Sequence, residues 1–286
     1  MRVLVTGARG QLGYDCVREL KERGFDDIIA IDKDELDITN EDEVHAFIKK
    51  QKPDAIMHNA AWTSVDKAEE YPEEVKKINV DGVKYIAEAA EEVGSKMIYI
   101  STDYVFPGNG ENFFEVSDKT CPCNVYGQTK LDGEKAAKAC TKLFIVRISW
   151  VFGINGNNFV KTMLKIGEFN KELNVVNDQI GSPTYTRDLS KLLCDMIQTN
   201  KYGTYHATNE GICSWYEFAK EIFNQAGMNV VVNPISTEDY LNNRPQQAKR
   251  PLNSRLSKKC LDIACFDRLP SWKDALHRYL KEINAI

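Results

Sequence analysis

The sequence predicts an α/β fold, a doubly wound parallel sheet with a smaller C-terminal region interleaved with it. Three observations lead there. Short, continuously apolar runs alternate with longer stretches whose apolar residues recur at helical spacing. The first run breaks at three glycines, Gly7, Gly10 and Gly13, just ahead of a helical stretch. After Trp150 the alternation loosens, and Gly, Asn and Pro become frequent.

Arg2–Thr6 is rich in β-branched residues and reads as a buried strand. Gln11–Arg23 follows as a helix, with Leu12, Cys16, Val17 and Leu20 on one face. Ile28–Ile31 is a second strand. Glu41–Lys50 is a helix that turns Val44, Phe47 and Ile48 inward, with Asn40 as its N-cap. Ala55–His58 is a third strand, Pro72–Val93 a long helix, and Met97–Ser101 a fourth strand. Tyr126–Cys140 is a helix and Phe144–Ile148 a fifth strand. Uninterrupted apolar strands alternating with helices imply a parallel sheet covered on both faces. Beyond Trp150, Asn158–Phe169, Thr186–Gln198 and Ser214–Ala226 read as helices, the last capped by Ser214; Leu173–Val176 and Thr204–Ala207 read as later strands.

Composition narrows the function class. With 43% hydrophobic and 28% charged residues, the 286-residue chain can bury an ordinary core. A formal charge of −5 argues against nucleic acid as partner, which calls for a basic excess. No apolar stretch approaches the roughly 20 residues needed to cross a bilayer. Met1 runs straight into the first strand, leaving no room for a secretory leader, so a soluble cytoplasmic protein is expected. The eight cysteines include no C-x-x-C pair and only four histidines accompany them; zinc spacing is missing, and free thiols are expected. Cys121 and Cys123 lie just upstream of Tyr126, at the edge of an expected site.

The glycines answer to a ligand. Between a strand and a helix they permit a tight turn and close backbone approach, and the helix N-terminus then faces a pyrophosphate. This is the Rossmann-type dinucleotide logic, although the spacing is G-x-x-G-x-x-G rather than G-x-G-x-x-G. Asp32, ending the second strand, is placed to hold the adenosine ribose and favours NAD. Arg9 and Lys33 would instead attract the 2′-phosphate of NADP, or are simply solvated, so NADH and NADPH both stay open.

Y-G-Q-T-K at Tyr126–Lys130 sets a phenol and an ammonium four residues apart on a helix, one above the other. A nearby cation favours the phenolate and lowers the phenol toward working range. Such a Tyr protonates a carbonyl oxygen while hydride arrives at carbon. Ser101-Thr102-Asp103 ends the fourth strand, where open α/β sheets place ligands, and the Thr102 hydroxyl is set to donate to the same oxygen.

Together, the glycine loop, Asn59-Ala60-Ala61, Ser101-Thr102 and the Tyr126/Lys130 pair resemble the extended short-chain dehydrogenase/reductases over most of the first 150 residues. Within them, STDYVFPG at Ser101–Gly108 resembles the dTDP-4-dehydrorhamnose reductase family. So do NAAWTSVDKAE at Asn59–Glu69, RISWVFG at Arg147–Gly153, GSPTYTRDL at Gly181–Leu189 and RPLNSRL at Arg250–Leu256. The resemblance implies an NAD(P)-binding domain over 1–150, its sheet completed by about 175–208, and a mainly substrate-binding region over 151–286. It implies reduction of the C4 ketone of dTDP-4-dehydro-β-L-rhamnose to dTDP-L-rhamnose by NADH or NADPH. Thr102 would orient the ketone, Tyr126 donate the proton, and Lys130 tune Tyr126 and hold the nicotinamide ribose. Gly7, Gly10, Gln11 and Leu12 would surround the pyrophosphate, Asp37 and Ile38 lie near the adenine, and Ala60, Ala61 and Thr63 line the ribose. Trp150 would flank the sugar, with Thr63, Val65 and Asp103 nearby.

Two departures from related families bear on the chemistry. Nucleotide-sugar dehydratases carry Thr-Asp-Glu after this strand; Tyr104 stands here in place of the Glu. Some relatives bind magnesium at a dimer interface through glutamates, where this chain has Asp15 and Arg187. Arg is no cation ligand, so no metal is expected, and a monomer or homodimer stays open. Arg250 is read as meeting the substrate diphosphate or as a surface ion pair. Asn79 and His58 are read as structural, and Trp62 as a rim anchor. An epimerase and a non-catalytic regulatory subunit on the same fold are the rival functions; the regulator would lack the Tyr/Lys pair.

Overall fold

The computed structural model describes residues 1–242 and 247–286. Five parallel strands, β1 (Arg2–Thr6), β2 (Asp27–Ile31), β3 (Ala55–His58), β4 (Lys96–Thr102) and β5 (Leu143–Ile148), form one sheet with a sixth, Gly203–His206. The spatial order from one edge is Gly203–His206, β5, β4, β3, β1, β2. Val3 and Val5 of β1 lie opposite Ala55 and Met57 of β3. The sheet is apolar on both faces because helices cover both. Helix α1 (Gln11–Glu22) and the helix Thr186–Ile197 pack one face, α2 (Glu41–Gln51) and the helix Gly82–Val93 the other. Strand order reverses at β1, so the crevice opens beyond the C-terminal ends of β1 and β3.

Local chemistry sets the element ends. The Asn40 side chain accepts from Glu43 N and starts α2, while Lys52 in the left-handed region (φ 45°) ends it. Asn124 accepts from Gly127 N at 2.7 Å and starts the helix Val125–Ala137.

Two elements differ from the sequence expectation. The stretch 72–93 carries a π turn at Lys77–Asp81 rather than one regular helix. Asn79 sits in that turn, accepts from Trp62 N at 2.8 Å and donates to Trp62 O at 3.2 Å, pinning the loop after β3. The strand Glu172–Val176 pairs with Val231–Ile235 and lies outside the main sheet. Only its last two residues are buried, whereas a central strand needs both faces apolar.

A third core joins Phe152, Phe218, Phe223, Trp272 and Tyr279 in the C-terminal half. Arg187 pairs with Glu19 at 2.7 Å and with Glu22, and the Thr186 hydroxyl donates to the buried Asp15. All eight cysteines are free thiols. Among the described residues no helix is long and apolar enough to cross a membrane.

Candidate active site

The chain leaves β1 at Thr6 and turns at Gly7 in the left-handed region (φ +62°). A Cβ on Gly7 would lie 2.8 Å from Ala60 N, and one on Gly13 only 2.1 Å from Gly7 O. Gly10 N donates to Gly7 O at 2.9 Å, and Gly10 is the N-cap residue of α1. The loop is thus folded back on the helix start, and Gln11 and Leu12 open the helix at the cavity wall. Unpaired N–H groups there form a seat for an anion. These residues fit a dinucleotide pyrophosphate, because the backbone is as close as the missing side chains allow.

At the end of β2, Asp32 accepts from Arg9 N at 3.1 Å and from Lys33 N at 2.9 Å. The Arg9 guanidinium lies 2.7 Å from Asp34 and 3.3 Å from Glu35. These groups are exposed, so the pairs are weak and open to exchange. Asp37 and Ile38 continue the same wall. The loop after β3 adds Ala60, Ala61, Thr63 and Val65.

Thr102, at the end of β4, donates to Asp103 Oδ1 at 2.9 Å and accepts from Tyr104 N at 3.2 Å. Tyr126 and Lys130 project from the helix Val125–Ala137 onto the same cavity. The Tyr104 ring meets that of Tyr126 edge-on at 5.5 Å. Burial pushes the Tyr126 phenol up, Asp103 adds to this, and a hydrogen bond with Thr102 works the other way. That direction is opposite to the lowering expected from the sequence. Burial also acts on the lysine: it drives Lys130 down to about 7, opposed by the Glu134 carboxylate. Spacing alone does not report the desolvation that dominates both groups. Asp103, buried, is raised to about 6 by burial, and its Oδ2 makes no hydrogen bond.

One cavity of about 1170 Å³ runs from the glycine loop to these groups. It exceeds the space of a single drug-sized ligand and suits two ligands end to end. Its far end is aromatic. Trp150, in the left-handed region at φ 50°, stacks on Trp215 at 3.8 Å, and Phe159 lies 4.6 Å from Trp215. A bulky residue in that conformation is strained and is held there by its surroundings. Trp215 and Phe159 are wall residues the sequence reading missed; nothing in their local pattern separates them from core aromatics. Arg250 is not on the wall. Its Nη2 lies 2.8 Å from both Asp66 oxygens, and its charge works against the burial that raises the Tyr104 phenol.

A charged lysine buried in the crevice costs stability. Lys130→Met is expected to raise stability at pH 6 by about 2 kcal/mol, as when buried charges give way to apolar side chains. The sign follows from the lowered value. Below about 7 both states hold the proton and the folded protein bears the full cost; the cost fades as pH rises toward 10.5. Thermal melts at pH 6 and pH 9 check it, and a variant less stable than wild type at pH 6 would contradict it.

A family model described as "RmlD substrate binding domain" matches residues 1–285. A dTDP-4-dehydrorhamnose reductase from Aggregatibacter actinomycetemcomitans is 43% identical over 293 residues, covering 96% of this chain and 97% of that protein. The crystal structure of a dTDP-4-dehydrorhamnose reductase from Clostridium acetobutylicum ATCC 824 has a TM-score of 0.95 at 43% identity, covering 99% of this chain and 100% of that chain. A dTDP-4-dehydrorhamnose reductase from Bacillus anthracis str. Ames, solved in complex with NADP, has a TM-score of 0.94 at 44% identity, covering 98% and 99%. The chain therefore belongs to the RmlD substrate binding domain family, that of the dTDP-4-dehydrorhamnose reductases it matches along nearly its whole length.

Proposed function

We propose that the protein reduces the C4 ketone of dTDP-4-dehydro-β-L-rhamnose to the alcohol of dTDP-L-rhamnose. The observation that carries the reading is the single cavity that joins a glycine-loop anion seat to Thr102, Tyr126 and Lys130. Bound NADH or NADPH supplies the hydride that C4 takes up. The ketone oxygen takes its proton from Tyr126 and becomes a hydroxyl, and the phenol is restored from solvent. Thr102 donates a hydrogen bond to that oxygen, turning away from Asp103 to do so. A phenol pushed up by burial keeps its proton through the neutral range, which a donor requires. The Lys130 ammonium then stabilises the phenolate as the proton leaves.

In this reading Gly7, Gly10, Gln11 and Leu12 hold the pyrophosphate. Asp32 takes the adenosine ribose, and Asp37 and Ile38 the adenine. Ala60, Ala61 and Thr63 run along the ribose, with Tyr126 and Lys130 at the nicotinamide end. Thr63, Val65, Asp103 and Trp150 meet the sugar. Arg250 reaches the substrate diphosphate by exchanging its bond to Asp66. Residues 1–150, completed by the strand Gly203–His206, bind the cofactor, and 151–286 mainly the substrate. The enzyme works in the cytoplasm, as a monomer or homodimer, without a metal.

The test is to supply dTDP-4-dehydro-β-L-rhamnose with NADH and, separately, NADPH, and to follow reduced-nicotinamide absorbance. Steady loss with at least one is expected; no loss with either removes the reading.

A further inference from the structure

Lys130 makes no ion pair among the described residues, yet it is 3% exposed. Its Nζ sits 4.3 Å from the centre of the Tyr99 ring. Tyr99, fully buried on β4, donates through its hydroxyl to Lys130 O at 3.2 Å. The contact has a matching notch. A Cβ at Gly133 would fall 2.3 Å from the Tyr99 hydroxyl, so glycine stands in mid-helix where it costs propensity. Beneath Tyr99, the His58 ring stacks at 6.3 Å with 19° between planes. Burial and the charge of Lys130 push His58 down to about 3, so no second cation lies under the ring. His58 Nδ1 is 2.9 Å from Thr6 Oγ1, which accepts from Ala60 N at 3.2 Å. The column thus ends at the glycine loop.

One helical turn beyond Lys130 lies Glu134, buried and paired with the buried Arg147 at 2.7 Å. Arg147 Nε reaches Glu134 Oε1 at 2.8 Å, and the Ser101 hydroxyl donates to the same oxygen at 2.5 Å. This group ties the helix bearing Tyr126 and Lys130 to the strand end bearing Thr102.

We propose that Tyr99 and Glu134 are positioning residues for the Lys130 ammonium, the aromatic face holding it from beneath and the buried carboxylate supporting its charge from one helical turn away, outside ion-pair distance. An ammonium over an aromatic face is attracted by the ring's negative centre, more strongly when water is excluded. Glu134 holds Lys130 up against burial, while Tyr126 is the remaining titratable group of its own helix facing the cavity beside it. Arg147 stands behind the carboxylate as its ion-pair partner. The mechanistic use of this support rests on the reading of Lys130 as the partner of Tyr126; the support itself does not.

The test is therefore made first on the protein alone. Lysines carrying ¹³C are titrated by NMR, with Lys130→Met identifying the signal. Wild type is compared with Tyr99→Phe, Tyr99→Leu and the double variant Glu134→Gln/Arg147→Met, which removes both charges together. Lys130 is expected to titrate at about 7 in wild type. Tyr99→Phe keeps the face and is expected to match wild type. In Tyr99→Leu and in the double variant the value is expected to fall by about one pH unit. With substrate and cofactor, the alkaline limb of kcat against pH should move with it. If Tyr99→Leu titrates like wild type, or Tyr99→Phe falls as far as Tyr99→Leu, the aromatic support is wrong. An unmoved value in the double variant overturns the role of Glu134. The double variant deletes no aromatic ring, so a Tyr99→Leu protein that fails to fold leaves the test standing. A wild type that oxidises no nicotinamide would sink the functional reading without touching the NMR result.

Discussion

Tyr126→Phe is expected to lower turnover by about 10²–10⁴-fold while leaving cofactor affinity within a few-fold of wild type. The ring stays, with its edge-on contact to Tyr104 at 5.5 Å, so the cavity wall keeps its shape. What goes is the proton source for the ketone oxygen. Thr102 remains and still donates to the carbonyl oxygen, which leaves residual turnover rather than none. The measurement is kcat by nicotinamide absorbance beside a Kd from the fluorescence of reduced cofactor. A variant with near-normal kcat would exclude Tyr126 as the donor; one that loses kcat and cofactor affinity together would make it a binding residue instead.

Gly13→Ala carries the second large effect, on binding rather than chemistry. Its Cβ would sit 2.1 Å from Gly7 O and 2.7 Å from Gly7 C, backbone atoms that have no rotamer to escape into. Relief requires the loop to open, which moves the anion seat itself. Cofactor affinity is expected to fall by about 100-fold, equal to roughly 2.7 kcal/mol. Overpacking should also lower stability by about 1–3 kcal/mol. Gly10→Ala is the graded control: its Cβ would lie 3.1 Å from Gly7 O, and its φ of −77° suits any L residue. A tight but relievable contact predicts a small loss, and that variant should stay folded. Kd values in the order wild type, Gly10→Ala, Gly13→Ala would support the cradle. Equal affinities in all three would show that the loop does not touch the cofactor.

Different kinds of residue were legible to different degrees. Apolar periodicity located the sheet strands to within a residue or two, because a strand buried on both faces leaves a continuous apolar run. The strand Glu172–Val176 was seen but not its place, since half-exposed strands carry no record of their partner, here Val231–Ile235. The regular helix expected over 72–93 is interrupted where Asn79 reaches across to Trp62, a contact 17 residues away that helical spacing does not encode. The residues named from motifs or from the family resemblance line the cavity wall except Arg250, held by a carboxylate 184 residues distant. Trp215 and Phe159, which share that wall, carried no motif to announce them.

What the sequence determined by itself was local geometry: a loop whose glycines admit close backbone approach, a phenol and an ammonium one helical turn apart, and a hydroxyl at a strand end. These depend on backbone sterics and on a repeat of 3.6 residues, both written in consecutive positions. Tertiary structure alone decided how those groups behave. It placed Tyr99 beneath Lys130, set Glu134 against Arg147, and withdrew the phenol and the lysine from water, so that burial outweighs their mutual spacing. Desolvation is a property of everything packed around a group, and that surrounding exists only once distant segments have met.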